Sequence, residues 1–215
     1  MPSNSVTRRD ILKTLTAGVV AGSVLRVIPA QAAEYAHKMI QAEHAASGTY
    51  KPKYFSAPQY KTLQALCQTI IPADDHGGGA IEAGAPEFID LITSENKDLQ
   101  LTLGGGIMWL DSACADRYGK VYLESTPVQQ KEILDLIAFR RNAVADASLS
   151  QGVSFFAFLR KFTCDGYFTS EIGIKDLQYK GNAFTKDFRG CPPLPGSYLA
   201  AEARVLVRAI RTIKT

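Results

Sequence analysis

The chain has 215 residues, and its 24 basic and 21 acidic side chains give a formal net charge of +3. This length suits one domain with a sizeable core, and a second domain is not expected. Residues 1–32 hold four of the basic and one of the acidic residues, so the remainder has twenty of each and is neutral. Neutrality argues against a nucleic-acid-binding protein, which normally has a clustered basic surplus, and it favours association with a protein partner.

The N-terminus contains an arginine pair, Arg8 and Arg9, followed by a weakly apolar run over 14–25 and by Ala-Gln-Ala immediately before Ala33. These regions, in this order, resemble a bacterial twin-arginine export signal with a peptidase site. The apolar run is shorter than the roughly 20 residues that span a bilayer. A basic N-terminal tail is the alternative. We predict a signal peptide over 1–32, transport by the twin-arginine translocase and a periplasmic location.

Twin-arginine export typically carries proteins that fold before transport because they hold a cofactor. The chain nevertheless lacks the glycine-rich dinucleotide and P-loop motifs and the C-x-x-C-H haem motif. Its two glycine runs, at 77–79 and 104–106, do not have the spacing that aims backbone amides at a phosphate. We therefore expect no cofactor, no metal and no catalytic residue in this chain, and a partner that holds the cofactor.

All four cysteines follow the predicted signal, where thiols meet an oxidising compartment. Their wide spacing argues against a zinc or iron–sulfur motif. We expect two disulfides, in any of three pairings, among Cys67, Cys114, Cys164 and Cys191. The alternative is that Cys67 and Cys114, which lie on predicted apolar helix faces, are free core thiols.

Residues 33–54 are polar and alanine-rich, without a sustained apolar stripe. This pattern predicts a linker or a short, loosely docked helix. His37 and His44 lie two helical turns apart in this segment, as two metal ligands could. Because no third ligand is near at useful spacing, we expect solvated histidines.

Helical periodicity is clear from residue 56 onward. A helix is predicted over 56–71, ended by a proline, and another begins at Gly84-Ala85-Pro86. The glycine-rich loop between these helices contains the most ligand-like cluster of the chain. We expect turn formation there, rather than metal binding, from Asp74, Asp75 and His76.

The next predicted helix covers 107–118 and ends at Gly119. Thr126 and Gln129 then form a capping box at the start of another helix. The arginine pair at 140–141 is expected at the C-terminal end of that helix, where the helix dipole favours cations.

The aromatic segment 153–169 predicts a helix with a bend at Gly166. Residues 170–196 are turn-rich and too long for an ordinary connection, and such loops are often functional. A final helix follows. The sequence therefore predicts an all-α fold, with a linker over 33–54 and a single compact helical domain over 55–215 that contains one long irregular loop.

Four stretches point together to one family. They are Ile-Ile-Pro-Ala-Asp-Asp at 70–75, Glu-Ala-Gly-Ala-Pro-Glu-Phe-Ile-Asp at 82–90, the aromatic segment 155–168 and Gly-Asn at 181–182. This combination resembles the gluconate 2-dehydrogenase subunit 3 family.

The resemblance implies a small, twin-arginine-exported subunit of a periplasmic dehydrogenase, which reaches the membrane through its complex. It implies a partner with FAD in the glucose-methanol-choline oxidoreductase fold, and commonly a c-type cytochrome with haem c as electron acceptor. Sugars, sugar acids or glycosides are the implied substrates. We expect a non-catalytic subunit that escorts and stabilises the flavoprotein. The alternatives are an independent periplasmic enzyme and a stand-alone binding domain.

We place the partner interface on and around the long loop. A tyrosine has an apolar ring and a polar tip, which suit a partly hydrated interface. For the two phenylalanines, packing onto the helices is the alternative. The predicted interface residues are Tyr167, Phe168, Tyr179, Asn182 and Phe184.

Overall fold

The computed structural model describes residues 30–75, 77–179 and 181, and this part of the chain contains helices and turns without a β-strand. The predicted all-α fold is confirmed. No helix in these residues is both long enough and apolar enough to cross a membrane. The predicted signal residues Arg8 and Arg9 lie outside the described residues.

The helices follow one another along the chain with short connections. The longer ones are α1 (Ala30–Ser47), α2 (Ala57–Ile70), α3 (Ala85–Ser94), α5 (Gly105–Tyr118), α6 (Pro127–Ile137) and α8 (Ser150–Phe168). The shorter ones are α4 (Lys97–Leu99), α7 (Arg140–Ala145) and α9 (Glu171–Asp176). A π-helical turn covers Gln100–Gly104, and 3₁₀ turns cover Tyr122–Glu124 and Ala147–Leu149.

The chain divides into two units, Met1–Tyr179 and Lys180–Thr215. All the helices named above belong to the first unit. The predicted final helix and the later part of the predicted long loop lie outside the described residues. The earlier part of that loop is helical, because Ser170 caps α9 by accepting the N–H of Gly173 at 3.0 Å.

Helix α8 forms the centre of the fold and contacts α2, α3, α5, α6, α7 and α9. Its inner face carries Phe155, Leu159 and Phe162, which are buried. Full burial of such side chains stabilises the folded state by about 1.5–3 kcal/mol each. The aromatic stripe of the sequence therefore builds the core.

Glycines allow two helices to approach α8 closely. A methyl group on Gly106 of α5 would overlap the Phe155 ring, and one on Gly152 of α8 would overlap Trp109. At Gly166 the same atom would lie 3.0 Å from Phe88 of α3. The predicted bend at Gly166 is wrong, since α8 runs through it to Phe168 and the glycine instead makes room for α3.

The capping box of α6 is present. The N–H of Thr126 donates to Oε1 of Gln129 at 2.9 Å, and the N–H of Gln129 donates to Oγ1 of Thr126 at 3.4 Å. The prediction that Arg140 and Arg141 end this helix is wrong. The extended backbone of Phe139 interrupts the helix, so the arginines form the first turn of α7.

The cysteines differ from the expected two disulfides. Cys67, Cys114 and Cys164 are free thiols. Cys191 lies outside the described residues. Because Cys191 can take part in only one disulfide, a second disulfide would have to join two of the other three cysteines, and these are all free. The expectation of two disulfides is therefore wrong for this structure. Cys67 is enclosed in the core with Sγ 3.5 Å from Oγ1 of Thr163, and burial raises the pKa of its thiol to about 12. The alternative of free core thiols holds for Cys67 and Cys114.

The side chain of Asp90, fully buried in α3, fixes the connection between α1 and α2. Its Oδ1 accepts the N–H groups of Tyr54 and Phe55 at 3.1 and 3.0 Å. Its Oδ2 accepts the N–H of Lys53 at 2.6 Å and the hydroxyl of Tyr50 at 2.8 Å. Hydrogen bonds to a carboxylate are stronger than neutral ones, so this single residue anchors the whole connection.

Candidate functional site

A cleft of about 460 Å³ lies beside α1, the loop that precedes α3 and the start of α9. Helix α1 contributes His37, Gln41 and His44 to its lining. The other side contributes the carboxyl groups of Glu82, at the end of the loop, and Glu87, in the first turn of α3. The cleft therefore combines two imidazoles with carboxyl groups.

Helix α1 reaches this position because small side chains dock it closely on α3. Its buried residues are Ala32, Ala33, Ala36 and Ile40, which recur on one helical face. This differs from the expected linker or loosely docked helix. Alanines bury little surface individually, so the sequence shows no large apolar stripe although the face is well packed.

His37 is held firmly on the inner side of α1. Its ring stacks on Phe88 with centroids 5.2 Å apart, and its Nε2 lies 3.0 Å from Oγ1 of Thr169. Burial lowers the pKa of His37 and favours the neutral imidazole, although a hydrogen bond with the backbone of Gly166 opposes the shift. The expectation of a solvated histidine is wrong for His37, whereas His44 is exposed as predicted.

Glu87 differs from the other acidic residues of the cleft because its carboxyl group is buried. The residue is 8% exposed, and its Oε2 is enclosed by the fold. Burial raises the pKa of Glu87. The hydroxyl of Tyr60 is the hydrogen-bonding group beside this carboxyl group, and its interaction, together with the nearby His44, opposes part of the rise in the pKa of Glu87. Glu87 and Tyr60 thus form a buried polar pair between α2 and the first turn of α3.

Local contacts shape the loop before α3. Oδ1 of Asp74 accepts the N–H of Gly77 at 2.9 Å, which makes Asp74 the turn-forming residue that the sequence predicted. Asp75 is exposed, and His76 lies outside the described residues. A Cβ on Gly79 would lie 2.6 Å from a backbone nitrogen earlier in the loop, so a larger residue does not fit there.

The predicted interface residues occupy different environments. Tyr167 is only 3% exposed, and its hydroxyl donates to the carbonyl of Gly78 at 3.1 Å and lies 3.2 Å from Oδ2 of Asp176. Tyr167 therefore holds the loop and does not present a contact surface. Phe168 is 40% exposed and Tyr179 is 59% exposed. Asn182 and Phe184 lie outside the described residues.

Sequence reasoning missed two exposed apolar residues beside these aromatics, Ile174 and Leu177. Their segment was interpreted as irregular, although Ser170 followed by Glu171 is a typical helix start. With α9 in place, Phe168, Ile174, Leu177 and Tyr179 form an exposed apolar set at the C-terminal end of the first unit, which we name the α8–α9 patch.

The polar side chains of the cleft are hydrogen-bonding groups. Across residues 30–75, 77–179 and 181, no group of three histidine, cysteine, aspartate or glutamate side chains is placed to hold a metal ion. The imidazole of His37 and the carboxyl groups of Glu82 and Glu87 provide hydrogen-bonding positions along the cleft.

Comparison with known proteins gives one match. The family model described as gluconate 2-dehydrogenase subunit 3 matches residues 57–186. No curated protein and no solved structure matches the chain. The match covers α2 to α9, whereas α1, which forms one wall of the cleft, precedes it. The family is named for a subunit of a dehydrogenase complex. Since the match extends over more than half of the sequence, the chain belongs to the gluconate 2-dehydrogenase subunit 3 family.

Proposed function

We propose that this protein is the non-catalytic small subunit of a periplasmic FAD-dependent dehydrogenase complex, and that it escorts the flavoprotein subunit through twin-arginine export and stabilises it. The observation that carries the proposal is the family match over residues 57–186. The predicted export signal, on a sequence that lacks a dinucleotide motif, also supports the proposal, since the folded cofactor-bearing cargo would then be the partner.

The α8–α9 patch supports binding to another protein. Phe168, Ile174, Leu177 and Tyr179 expose apolar side chains within twelve residues of sequence, whereas the other exposed apolar residues, such as Leu101, Val128 and Val144, are spread along the chain. Groups of exposed apolar residues are typical of interaction sites, and aromatic residues are frequent energetic anchors in them.

The proposed complex contains further components. Its flavoprotein holds FAD in a glucose-methanol-choline oxidoreductase fold and oxidises a sugar, a sugar acid or a glycoside. A c-type cytochrome with haem c accepts the electrons, and the complex associates with the membrane through that subunit. The small subunit described here supplies the export signal and a binding surface, and the chemistry belongs to the flavoprotein.

Replacing the arginine pair tests the escort role. In a strain that produces both subunits, Arg8→Lys combined with Arg9→Lys should retain this chain and the flavoprotein in the cytoplasm. Arg26→Lys, which changes a single arginine outside the pair, is the control and should leave export intact. The measurement is dye-linked sugar oxidation and flavin content in the periplasmic fraction. A flavoprotein that reaches the periplasm at its normal level with the double variant would show that it does not depend on this chain.

A further inference from the structure

Helix α5 has a solvent side that carries large apolar side chains. Together with α4 and the π-helical turn, it forms one uninterrupted helix over 97–118, because the residues at both junctions keep helical backbone angles. Six residues recur along its solvent side at steps of three or four, and we name this line the α5 face: Lys97, Leu101, Gly105, Met108, Ser112 and Asp116. Leu101 is 76% exposed and Met108 is 65% exposed.

The π-helical turn brings these residues into one line. Asp116 follows Lys97 by 19 residues and five steps, whereas five α-helical turns hold about 18 residues. A π-helical turn bonds one residue further along the chain than an α-helical turn, so Gln100–Gly104 accounts for the additional residue. Both ends of the α5 face therefore lie on the same side of the helix.

The composition of this helix is that of a buried element. Residues 99–110 contain no charged side chain. A single exposed apolar residue is ordinary on a protein surface, but a helix that is apolar on all sides is typically buried on all sides. The inner side of α5 packs on α8. Nothing in the described part of the chain covers its other side, where Leu101 and Met108 lie.

The charges at the two ends of the α5 face indicate what covers it. Lys97 and Asp116 are exposed, and neither forms an ion pair with another described residue. In a two-fold symmetric interface the same surface of both copies is used, and each contact occurs twice. Antiparallel pairing of two α5 faces places Lys97 of each copy beside Asp116 of the other. Parallel pairing would place like charges together.

The middle of the α5 face is also self-complementary in the antiparallel arrangement. The midpoint between Lys97 and Asp116 falls between Gly105 and Met108, so Met108 of one copy lies over Gly105 of the other. Glycine leaves space above the helix at this point, and the flexible methionine side chain fills irregular gaps well. The apolar centre and the charged ends therefore fit the same symmetry.

We propose that the α5 face is the interface of an antiparallel, two-fold symmetric dimer of this chain. A helix face about 30 Å long and 10 Å wide covers roughly 300 Å² per copy, well below the roughly 800 Å² of a standard interface. We therefore expect a weak dimer, with a dissociation constant on the order of 10–100 µM. The dimer does not depend on the proposed function, since it uses α5 and leaves the α8–α9 patch to the flavoprotein.

The first arm of the test measures self-association of the full-length chain, purified without any partner. Sedimentation equilibrium is followed at low salt from about 5 to 500 µM protein, which brackets the expected constant. Lys97→Glu and Asp116→Lys should each weaken the dimer by about tenfold, because both symmetric charge pairs become repulsive. An acidic residue suits the first turn of a helix and a basic residue the last, so both variants should fold.

Combining the two charge reversals tests the pairing directly. The double variant should regain the wild-type constant to within about threefold, because the attraction is restored with opposite polarity. Met108→Glu should abolish self-association, whereas Val128→Glu should leave it unchanged. Val128 is the matched control, since it is an equally exposed apolar residue on α6, outside the α5 face. Thermal unfolding of each variant checks that it is folded.

The second arm tests the antiparallel geometry. A carbodiimide, which joins an amine to a carboxylate in contact with it, is applied to a mixture of ¹⁵N-labelled and unlabelled chain. Mass spectrometry should find Lys97 of one isotope joined to Asp116 of the other. Raising the salt from about 20 to 500 mM should weaken the wild-type dimer but favour association of either charge-reversed variant, because screening removes attraction in one case and repulsion in the other.

The contrary outcomes are equally definite. A chain that stays monomeric up to about 500 µM would overturn the dimer. Self-association that the charge reversals do not weaken, or that the double variant does not restore, would overturn the antiparallel arrangement. A monomeric chain whose capture of the flavoprotein is lost in Met108→Glu would assign the α5 face to the flavoprotein instead. Because both arms use the chain alone, their failure leaves the proposed function intact, and a flavoprotein that needs no escort leaves the dimer intact.

Discussion

The partly buried imidazole of His37 makes the stability of the fold depend on pH. Its ring is stacked on Phe88, and burial holds the pKa of its imidazole below the ordinary value of 6.5. In the unfolded chain His37 titrates near that ordinary value, so between the two pKa values the unfolded state binds more protons than the folded state. The free energy of unfolding therefore falls as the pH drops below about 6.5.

We expect His37→Gln to flatten this pH dependence. The variant should unfold at a lower temperature overall, since the ring stack is lost, but its melting temperature should change less than that of the wild type between about pH 5 and pH 7. The measurement is thermal unfolding by circular dichroism in a series of buffers. The exposed His44→Gln serves as the control and should keep the wild-type slope. A wild-type slope in His37→Gln would mean that other groups set the acid sensitivity.

The role of His37 could not be predicted from the sequence. Hydrophobic patterning identifies a buried helix face by its large apolar side chains. Helix α1 instead docks through Ala33 and Ala36, and alanine is common on both buried and exposed helix faces, so the pattern does not show which face is buried. By contrast, Asp74 was interpreted correctly, because an aspartate before a glycine run forms a turn through its own local hydrogen bonds. A turn formed by neighbouring residues can be predicted from the sequence, whereas the burial of small residues depends on distant parts of the chain that pack against them.

The crossing of α5 and α8 depends on two neighbouring glycines with different surroundings. A methyl group at Gly106 would collide with the buried Phe155 ring, but at Gly105 the nearest atom is the flexible Nε2 of Gln151 at 3.7 Å. Both glycines lie in the first turn of α5 with helical backbone geometry, so alanine is conformationally acceptable at each. Only one of the two positions has space for it.

We expect Gly106→Ala to destabilise the protein by about 1–3 kcal/mol, because the helices must separate or Phe155 must leave its rotamer. Gly105→Ala, the matched control, should be neutral or stabilise the fold, since alanine favours a helix more than glycine does by about 1 kcal/mol. Urea unfolding of both variants measures the difference. Equal stabilities would show that the α5–α8 crossing adjusts without strain.

Helix ends were predicted better than helix contacts. A helix boundary is set by interactions between residues that are close in sequence. The helices begin or end near the predicted signals, which are the capping box at Thr126, the proline after α2 and the left-handed glycine after α5. The helix starting at Arg140 was missed, because its boundary is set by the extended Phe139, which has no turn residue beside it.

At the level of the whole chain, the residues that carry the family resemblance have structural roles. Gly84 adopts a left-handed conformation at φ 72° and starts α3, Pro86 lies in its first turn, and Asp90 anchors the connection between α1 and α2. The motif therefore specifies the fold. This explains why the fold and family could be predicted from sequence, whereas the cleft, which also needs α1, could not.

We expect the mature chain, purified without its partner, to show neither flavin absorbance nor dye-linked sugar oxidation. The physical reason is that the sequence has no glycine-rich phosphate-binding motif to position a dinucleotide. The complex purified in the same way should show both signals and is the positive control. Flavin absorbance in the isolated chain would instead favour an independent enzyme.

The burial of the first turn of α1 has a consequence for maturation. The predicted cleavage site is the bond between Ala32 and Ala33, which are 4% and 0% exposed. A peptidase needs an extended, accessible bond, so cleavage must either precede the docking of α1 or wait until its first turn unwinds. In a precursor that is exported already folded, the rate of maturation would then follow the frequency of this local opening. Cutting would also leave a positive amino group at the N-terminal end of α1, where the helix dipole disfavours it. Processing would thus be a kinetic competition between the peptidase and a helix that protects its own cleavage site.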